Sequence, residues 1–552
     1  MKKAIHSVKI GLVQRISASL QANNYELTSD VEPNSIHQST KNQISSSPSP
    51  PLSPHLQKYI KPTQEQTAMT SNLHQIPTIS KWSTRKKVLV GISTSLIIAA
   101  LITVTIVLAV LFTKPKETST TTTTASTVNV SAYWTLDNTT DDSYGVYNGQ
   151  LINNPVFTTS GATNLPYIGH GQALLFNSAS SQSFEVSTSF FNLSYTSFTI
   201  EAWIYYSTSV SDRGIFGQCQ CSTCVNQCLY LIMRNNRLYV DFTSNYLSGS
   251  TAISATYWYH IAFVYNYETR QQILYLNGVQ DAIKSSAQPY QGQNGSIHIG
   301  SAQTYSTTYY YQNYIDNVAL TTRAKSSVEI LLDASLMAYY SFDSPNPTVD
   351  GGPNGLDGTS SNTATVSGRV NQAMRFLGLS SSYFRTYGLY QVPYGVVNAK
   401  PFSIALWINP SSLNNIAIIQ MFGTTIISSN CVTLLGIYSA SSSTTTGQLI
   451  VYNNNWLASY LTGPFVTQNI WTHISLTYSF TNGFTLYVNG VLFGTSGSVS
   501  FVLSNTLAYL YIGYTLSCSG NSVINYYQGY IDELYIYNRE LSQADVTSLA
   551  NP

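Results

Sequence analysis

Six sequence landmarks occur twice in this chain, in the same order, at offsets of 200 to 216 residues, and that repeat restricts its architecture more than any other feature. AYWTLD (Ala132 to Asp137) returns as AYYSFD (Ala338 to Asp343), and GQALLF (Gly171 to Phe176) as NQAMRF (Asn371 to Phe376). SFTIEAWI (Ser197 to Ile204) returns as PFSIALWI (Pro401 to Ile408), and YWYHIAFVY (Tyr257 to Tyr265) as IWTHISLTY (Ile470 to Tyr478). ILYLNGV (Ile273 to Val279) matches TLYVNGV (Thr485 to Val491), and YYYQNYIDNVAL (Tyr309 to Leu320) matches NYYQGYIDELYI (Asn525 to Ile536). A chain of 552 residues exceeds what one core usually supports. Two domains of one architecture follow.

Each landmark has the rhythm of a strand. Phe, Ile and Trp in SFTIEAWI and PFSIALWI fall on alternating positions, so one face of each strand enters a core. The Asn-Gly step after ILYL and TLYV is a hairpin signal, because both turn positions tolerate positive φ. Trp258 and His260, like Trp471 and His473, lie two apart and share a side. Only 9% of residues are charged, while hydroxyl-bearing residues abound, which favours pleated sheets over salt-bridged helices. The expected class is all-β, with tandem antiparallel sandwiches.

The ordered series of W-x-H, Y-x-N-G-V and Y-I-D, twice over, resembles the laminin G-like jelly roll of the concanavalin A-like lectin and glucanase superfamily. The resemblance covers roughly residues 129 to 323 and 334 to 541. It implies a two-sheet jelly roll that binds glycans or extracellular proteins, sometimes with calcium. Domain limits of 129–333 and 334–552 follow. Ser326-Ser327-Val328-Glu329 reads as a capping box opening a short helix through Leu332, with the next strand at Leu336. Leu541 to Leu549 repeats that element. Without a flexible linker, the sandwiches are expected to hold a fixed pose, each short helix packing on its own domain.

Residues 88–112 contain no charge and would span about 37 Å as a helix, enough for a hydrocarbon core of about 30 Å. Lys81, Arg85, Lys86 and Lys87 outweigh Lys114 and Lys116 across it, so the N-terminus is expected in the cytoplasm and the repeats outside, at the plasma membrane. Residues 1–80 lack an apolar period and read as a disordered tail, 81–113 as basic flank and anchor, and 114–128 as a Thr/Ser-rich stalk. Asn129, Asn138, Asn192 and Asn294 open N-x-[ST] sequons, all beyond the span. The net charge of +1 provides no field for nucleic acid.

Cys219, Cys221, Cys224 and Cys228 could hold zinc, but an extracellular location favours disulfides. Of three connectivities we expect Cys219–Cys228 with Cys221–Cys224, leaving Cys431 and Cys518 to the second copy. Asp137 with Asp316, and Asp343 with Asp532, could meet in a jelly roll and offer oxygen to calcium, or accept hydrogen bonds from turn amides. Asp141 and Asp142 could add ligands in the first copy. Tyr309 and Tyr311, with Tyr526 and Tyr527, are candidates for stacking on a ligand. The segments Thr208 to Cys228 and Ser411 to Thr446 differ most between copies, where ligand preference is expected to diverge.

Retaining glycosidases need two carboxyl groups about 5 Å apart. No E-x-D-x-E triplet occurs, and Glu201, inside a core strand, faces Ala405 in the other copy. No G-x-S-x-G elbow occurs either. The sequence therefore favours a non-catalytic binding protein, the alternatives being a glycan-processing enzyme or a spacer.

Overall fold

The structure is a computed structural model that describes residues 131–158, 172–187, 191–206, 209–253, 257–388, 401–422, 431–439, 445–452, 459–501, 509–515 and 525–552. The expected tail, membrane span and stalk, with Asn129 and Cys518, lie outside them. Among the described residues no helix is long and apolar enough to cross a membrane.

Each repeat folds into two facing sheets whose named strands pair antiparallel. In the first, an eight-stranded sheet runs in spatial order Val279–Lys284, Gln271–Leu276, Tyr257–Asn266, Phe198–Tyr206, Asn313–Thr321, Ala173–Phe176, Val156–Thr158, with Ser131–Trp134 pairing onto Asn313–Thr321. Its partner has seven strands, with Ile297–Ile299 between Ser183–Val186 and Arg213–Cys219. The second repeat reproduces this, Phe402–Pro410 lying between Thr472–Ser479 and Gln528–Tyr537 in one sheet, and Tyr509–Ile512 between Tyr383–Tyr387 and Ile416–Phe422 in the other.

Alternation places the cores. Phe198, Phe263 and Leu274 of one sheet meet Phe184, Leu231 and Val240 of the other, and Ile404, Leu476 and Ile531 meet Phe384, Leu434 and Leu510 in the second sandwich. Each fully buried side chain of this size stabilises by about 1.5–3 kcal/mol, so the landmarks that carry the repeat also carry the folding energy.

Both closing strands break their alternation at one place. Register shifts occur between Asp316 and Ala319 and between Ala405 and Trp407, where Asn317 (φ 49°) and Glu533 (φ 51°) take left-handed backbone. Asn317 Oδ1 accepts from Tyr133 Oη at 2.7 Å, and Glu533 accepts from Tyr339 Oη and Tyr535 Oη, so each bulge is held by side-chain bonds.

The sandwiches are joined by helix α1 (Ser327–Ser335), which runs straight into the strand Leu336–Tyr340. Its capping box forms as the sequence indicates, Ser326 Oγ accepting from Glu329 N while Glu329 accepts from Ser326 N. The helix continues past Leu332 to Ser335, so the expected boundary at 333/334 falls inside its last turn. Nor does it pack on its own domain alone. Ile330 is buried against Ala262, Val264 and Tyr275 of the first sandwich, while Leu332 joins Tyr339, Tyr535 and Leu549 of the second. Asn538 N donates to Ser335 O at 2.9 Å, closing the C-terminus from the second sandwich. Helix α2 (Gln543–Leu549) repeats the capping box through Ser542 and Asp545.

Candidate functional site

Cross-strand register assembles the same row on each large sheet. His260, Trp203 and Asp316 lie side by side in the first sandwich, and His473, Trp407 and Asp532 in the second. The histidine rings contact Trp203 and Trp407, at 5.3 and 5.2 Å between centroids, across the strand from the Trp that shares their own landmark. Burial pulls the His260 imidazole down to about 4, and that of His473 to about 3, so both are neutral at physiological pH. Nδ1 of each is buried without a hydrogen-bond partner. Neutral, buried and packed on a Trp ring, each histidine has the surroundings of a core residue.

The four aspartates hold turns. Asp137 Oδ1 accepts from Gln172 N at 2.8 Å, and Asp343 Oδ1 from Gln372 N at 2.9 Å. Asp532 Oδ2 accepts from Arg369 N and Val370 N, both at 2.8 Å, and Asp316 Oδ1 from Asn317 N. Burial lifts the Asp532 carboxyl to about 7 against those two N–H donors. Asp142 is likewise occupied by the amides of Tyr133, Val146 and Tyr147, and Asp350 plays that part in the second copy, while Asp141 is exposed. A calcium ion needs six to eight oxygens. Among the described residues no group of three or more His, Cys, Asp or Glu is placed to hold a metal ion, and carboxylates already taken by backbone amides do not fit calcium.

Two of the tyrosines expected to meet a ligand are in the core. Tyr311 and Tyr527 are 0% exposed, their hydroxyls donating to Tyr205 O and Tyr530 O. Their rings point between the sheets, which corrects their assignment as platforms. Tyr309 is half-buried in a two-stranded ribbon (Ser301–Gln303 with Thr308–Tyr310), and Tyr526 is half-buried 6.0 Å from Tyr514.

A different aromatic group lies on the seven-stranded sheet of the second sandwich. Tyr383, Arg385 and Tyr387 occupy alternate positions on one strand, with Phe384 and Thr386 buried between them. Arg385 pairs in register with Tyr511, and Tyr387 with Tyr509, at 4.3 Å between rings. Phe422 and Tyr511 form a buried floor, 5.0 Å apart, and Tyr514 stands 5.2 Å from Tyr511. Gln420 adds a polar edge through Thr433 and Thr515. Arg385 lies over this group, its Nη1 donating to Tyr511 Oη at 3.1 Å and its Nε to Thr359 Oγ1 at 3.0 Å. Tyr387 continues the surface onto Trp203 and Trp258 of the first sandwich.

In the first sandwich the equivalent positions are Glu185, His298, Gly217 and Cys219. There the Ser301–Tyr310 ribbon lies on the sheet, and a Cβ on Gly217 would come within 3.1 Å of Ala302 Cα. At Gly217 the first copy's sheet is covered, while its half-exposed positions carry Glu185 and His298 where the other copy has Arg385 and Tyr511. The segments expected to diverge as loops are partly strands, Arg213–Cys219 in one and Ile416–Phe422 with Cys431–Tyr438 in the other.

Cys219 bonds to Cys228, and Cys221 to Cys224, closing the hairpin between Arg213–Cys219 and Cys228–Arg234. Cys431 is also disulfide-bonded. Asn138, Asn192 and Asn294 are exposed. Sequence reasoning overlooked a buried network in which Lys325 bridges Glu201 and Asp333 (2.8 Å), with His260 Nε2 3.7 Å from Glu201. Its signal was Lys325 standing where the other copy has Leu541, beside a Glu201 already noted as unmatched.

The profile of a laminin G-type family described as the concanavalin A-like lectin/glucanases superfamily matches residues 178–331 and 384–547. The chain belongs to that superfamily. No curated protein matches it. Solved structures similar to this superfamily member include domain 4 of AbnA, a GH43 extracellular arabinanase from Geobacillus stearothermophilus, in complex with arabinotriose, at 21% identity and TM-score 0.28, covering 39% of this chain and 98% of that one. Another is the binding domain of botulinum neurotoxin DC in complex with rat synaptotagmin II, at 14% identity and TM-score 0.28, covering 40% of this chain and 52% of that one. A Trypanosoma rangeli sialidase matches at 11% identity and TM-score 0.30, over 58% of this chain and 60% of its own. The chain thus spans about half the length of the neurotoxin domain.

Proposed function

We propose that this protein is a single-pass cell-surface binding protein that recognises glycans, without catalysis, through the aromatic face of its second sandwich. The observation that carries the reading is the group Tyr383, Tyr387, Tyr509 and Tyr514 around Arg385, half-exposed on an outer sheet face whose counterpart in the first sandwich has Glu185 and His298 in place of Arg385 and Tyr511. Tyrosine offers a rigid apolar ring with a polar tip, the form that stacks on a sugar's C–H face while bonding its hydroxyls. A non-catalytic role is supported by the occupation of Asp137, Asp343 and Asp532 by backbone amides, which ties these carboxylates to turns. The surface location rests on the uncharged span 88–112 and its basic N-terminal flank.

A glycan array probed with the full-length protein in detergent, beside Tyr383→Ala and Tyr509→Ala, tests the reading. Selective binding should weaken by about five-fold or more in each variant, the scale of a central interface contact, while Tyr246→Ala, on the first sandwich, leaves it unchanged. Binding unaffected by both substitutions would refute the site. An N-terminal tag on intact cells should react with antibody only after permeabilisation.

A further inference from the structure

We infer that the saccharide recognised on this face carries an anionic group, a carboxylate or a sulfate ester, which the Arg385 guanidinium engages; this rests on the glycan reading above. The guanidinium carbon lies 5.9 Å from the Tyr383 ring centroid, 5.6 Å from Tyr509 and 6.0 Å from Tyr511, so the charge sits amid three rings. Two of its five N–H donors are fixed, on Tyr511 Oη and Thr359 Oγ1. Those bonds hold the guanidinium plane in place before any ligand arrives, which removes much of the entropy a free arginine would lose on binding.

Among the described residues it has no anionic partner. Arg234 pairs with Asp212, Arg323 with Glu329 and Arg539 with Asp545, whereas no ion pair among the described residues includes Arg385. The neighbours that raise its pKa are the tyrosines, Tyr511 first through its hydrogen bond. The first sandwich has the opposite sign at this position, with Glu185 in register with His298. One copy therefore places a half-exposed carboxylate beside a histidine, and the other a cation among half-exposed rings. A planar fork of donors matches a carboxylate or sulfate, and the flanking rings exclude water from the pair and strengthen it. A neutral sugar would use the rings and leave the charge without a counterpart.

The test is an array of matched glycans, each neutral oligosaccharide beside its carboxylated and its O-sulfated form, probed with the full-length protein, Arg385→Ala and Arg385→Lys. The expected result is at least ten-fold preference for an anionic form, lost in Arg385→Ala and reduced in Arg385→Lys, the scale of one charge-assisted hydrogen bond. The carboxylated and sulfated arms say which group is read. Equal binding of neutral and anionic forms, or an anionic preference that survives Arg385→Ala in a variant with wild-type thermal melting, overturns the inference. If neutral forms bind equally and Tyr383→Ala weakens them, the glycan reading stands without it; if no glycan binds, both fall.

Discussion

Replacing Lys325 by Leu should be far more damaging than removing the whole buried network to which it belongs. Position by position, Glu201, Lys325 and Asp333 correspond to Ala405, Leu541 and Leu549, because Lys325 N bonds Thr199 Oγ1 as Leu541 N bonds Ser403 Oγ and the capping boxes align. The chain thus builds one corner twice, ionic in the first sandwich and apolar in the second, where Ala405, Leu541 and Leu549 pack with Tyr535. Burial disfavours the Lys325 charge, yet Asp333 and Glu201 more than offset it and raise its pKa, so the ammonium is retained. Burial pushes the Glu201 carboxyl up to about 7, and its Oε1 has no hydrogen-bond partner.

Lys325→Leu leaves Glu201, whose side chain is 5% exposed, without a counter-charge. That should cost about 3–5 kcal/mol, or roughly 10 °C in melting temperature for a domain of this size. Glu201→Met with Lys325→Leu and Asp333→Leu removes all three charges at similar volume; Met suits because Ala319, where the other copy has Tyr535, leaves room beside Glu201. The triple variant should match wild type or exceed it by up to about 4 kcal/mol. Calorimetry of the three proteins decides the matter. A triple variant no more stable than Lys325→Leu, or a single variant indistinguishable from wild type, would refute the reasoning.

Two further outcomes follow from particular atoms. Asp532 has a folded pKa of about 7, above the ordinary carboxylate value of 3.8, so its contribution to stability is full below 3.8 and is lost as pH rises from there through 7. Wild type should therefore lose on the order of 3 kcal/mol relative to Asp532→Asn between pH 4 and 8 in urea melts, and a constant difference would contradict the assignment. Gly300 (φ +77°) and Gly513 (φ +82°) end equivalent strands, and a Cβ on either would strike the ring of Phe176 or Phe376. Alanine at either should destabilise its sandwich by about 2 kcal/mol or more, and an unchanged melting temperature would contradict the packing.

Legibility followed the physics of alternation. The two sheets, the hairpins at Asn277-Gly278 and Asn489-Gly490 and both capping boxes were readable because local rules fix them. Tyr311 and Tyr527 misled because they precede the bulges at Asn317 and Glu533, and clustering in sequence does not say which face a ring takes. The better signal was plainer: Tyr383, Arg385 and Tyr387 alternate with Phe384 and Thr386, which marks an outward row. Glu201's partner was hidden because Lys325 reaches it across 124 residues of sequence, with Asp333 joining only through Lys325. The aspartates were legible as a group, but their role depended on which amides the fold brought to them.

The most direct test is a crystal structure of the protein bound to the strongest glycan from the array. The account predicts sugar density against Tyr383, Tyr387 and Tyr509, with an anionic substituent facing Arg385. Density on the first sandwich, or at the strand ends away from these rings, would contradict it.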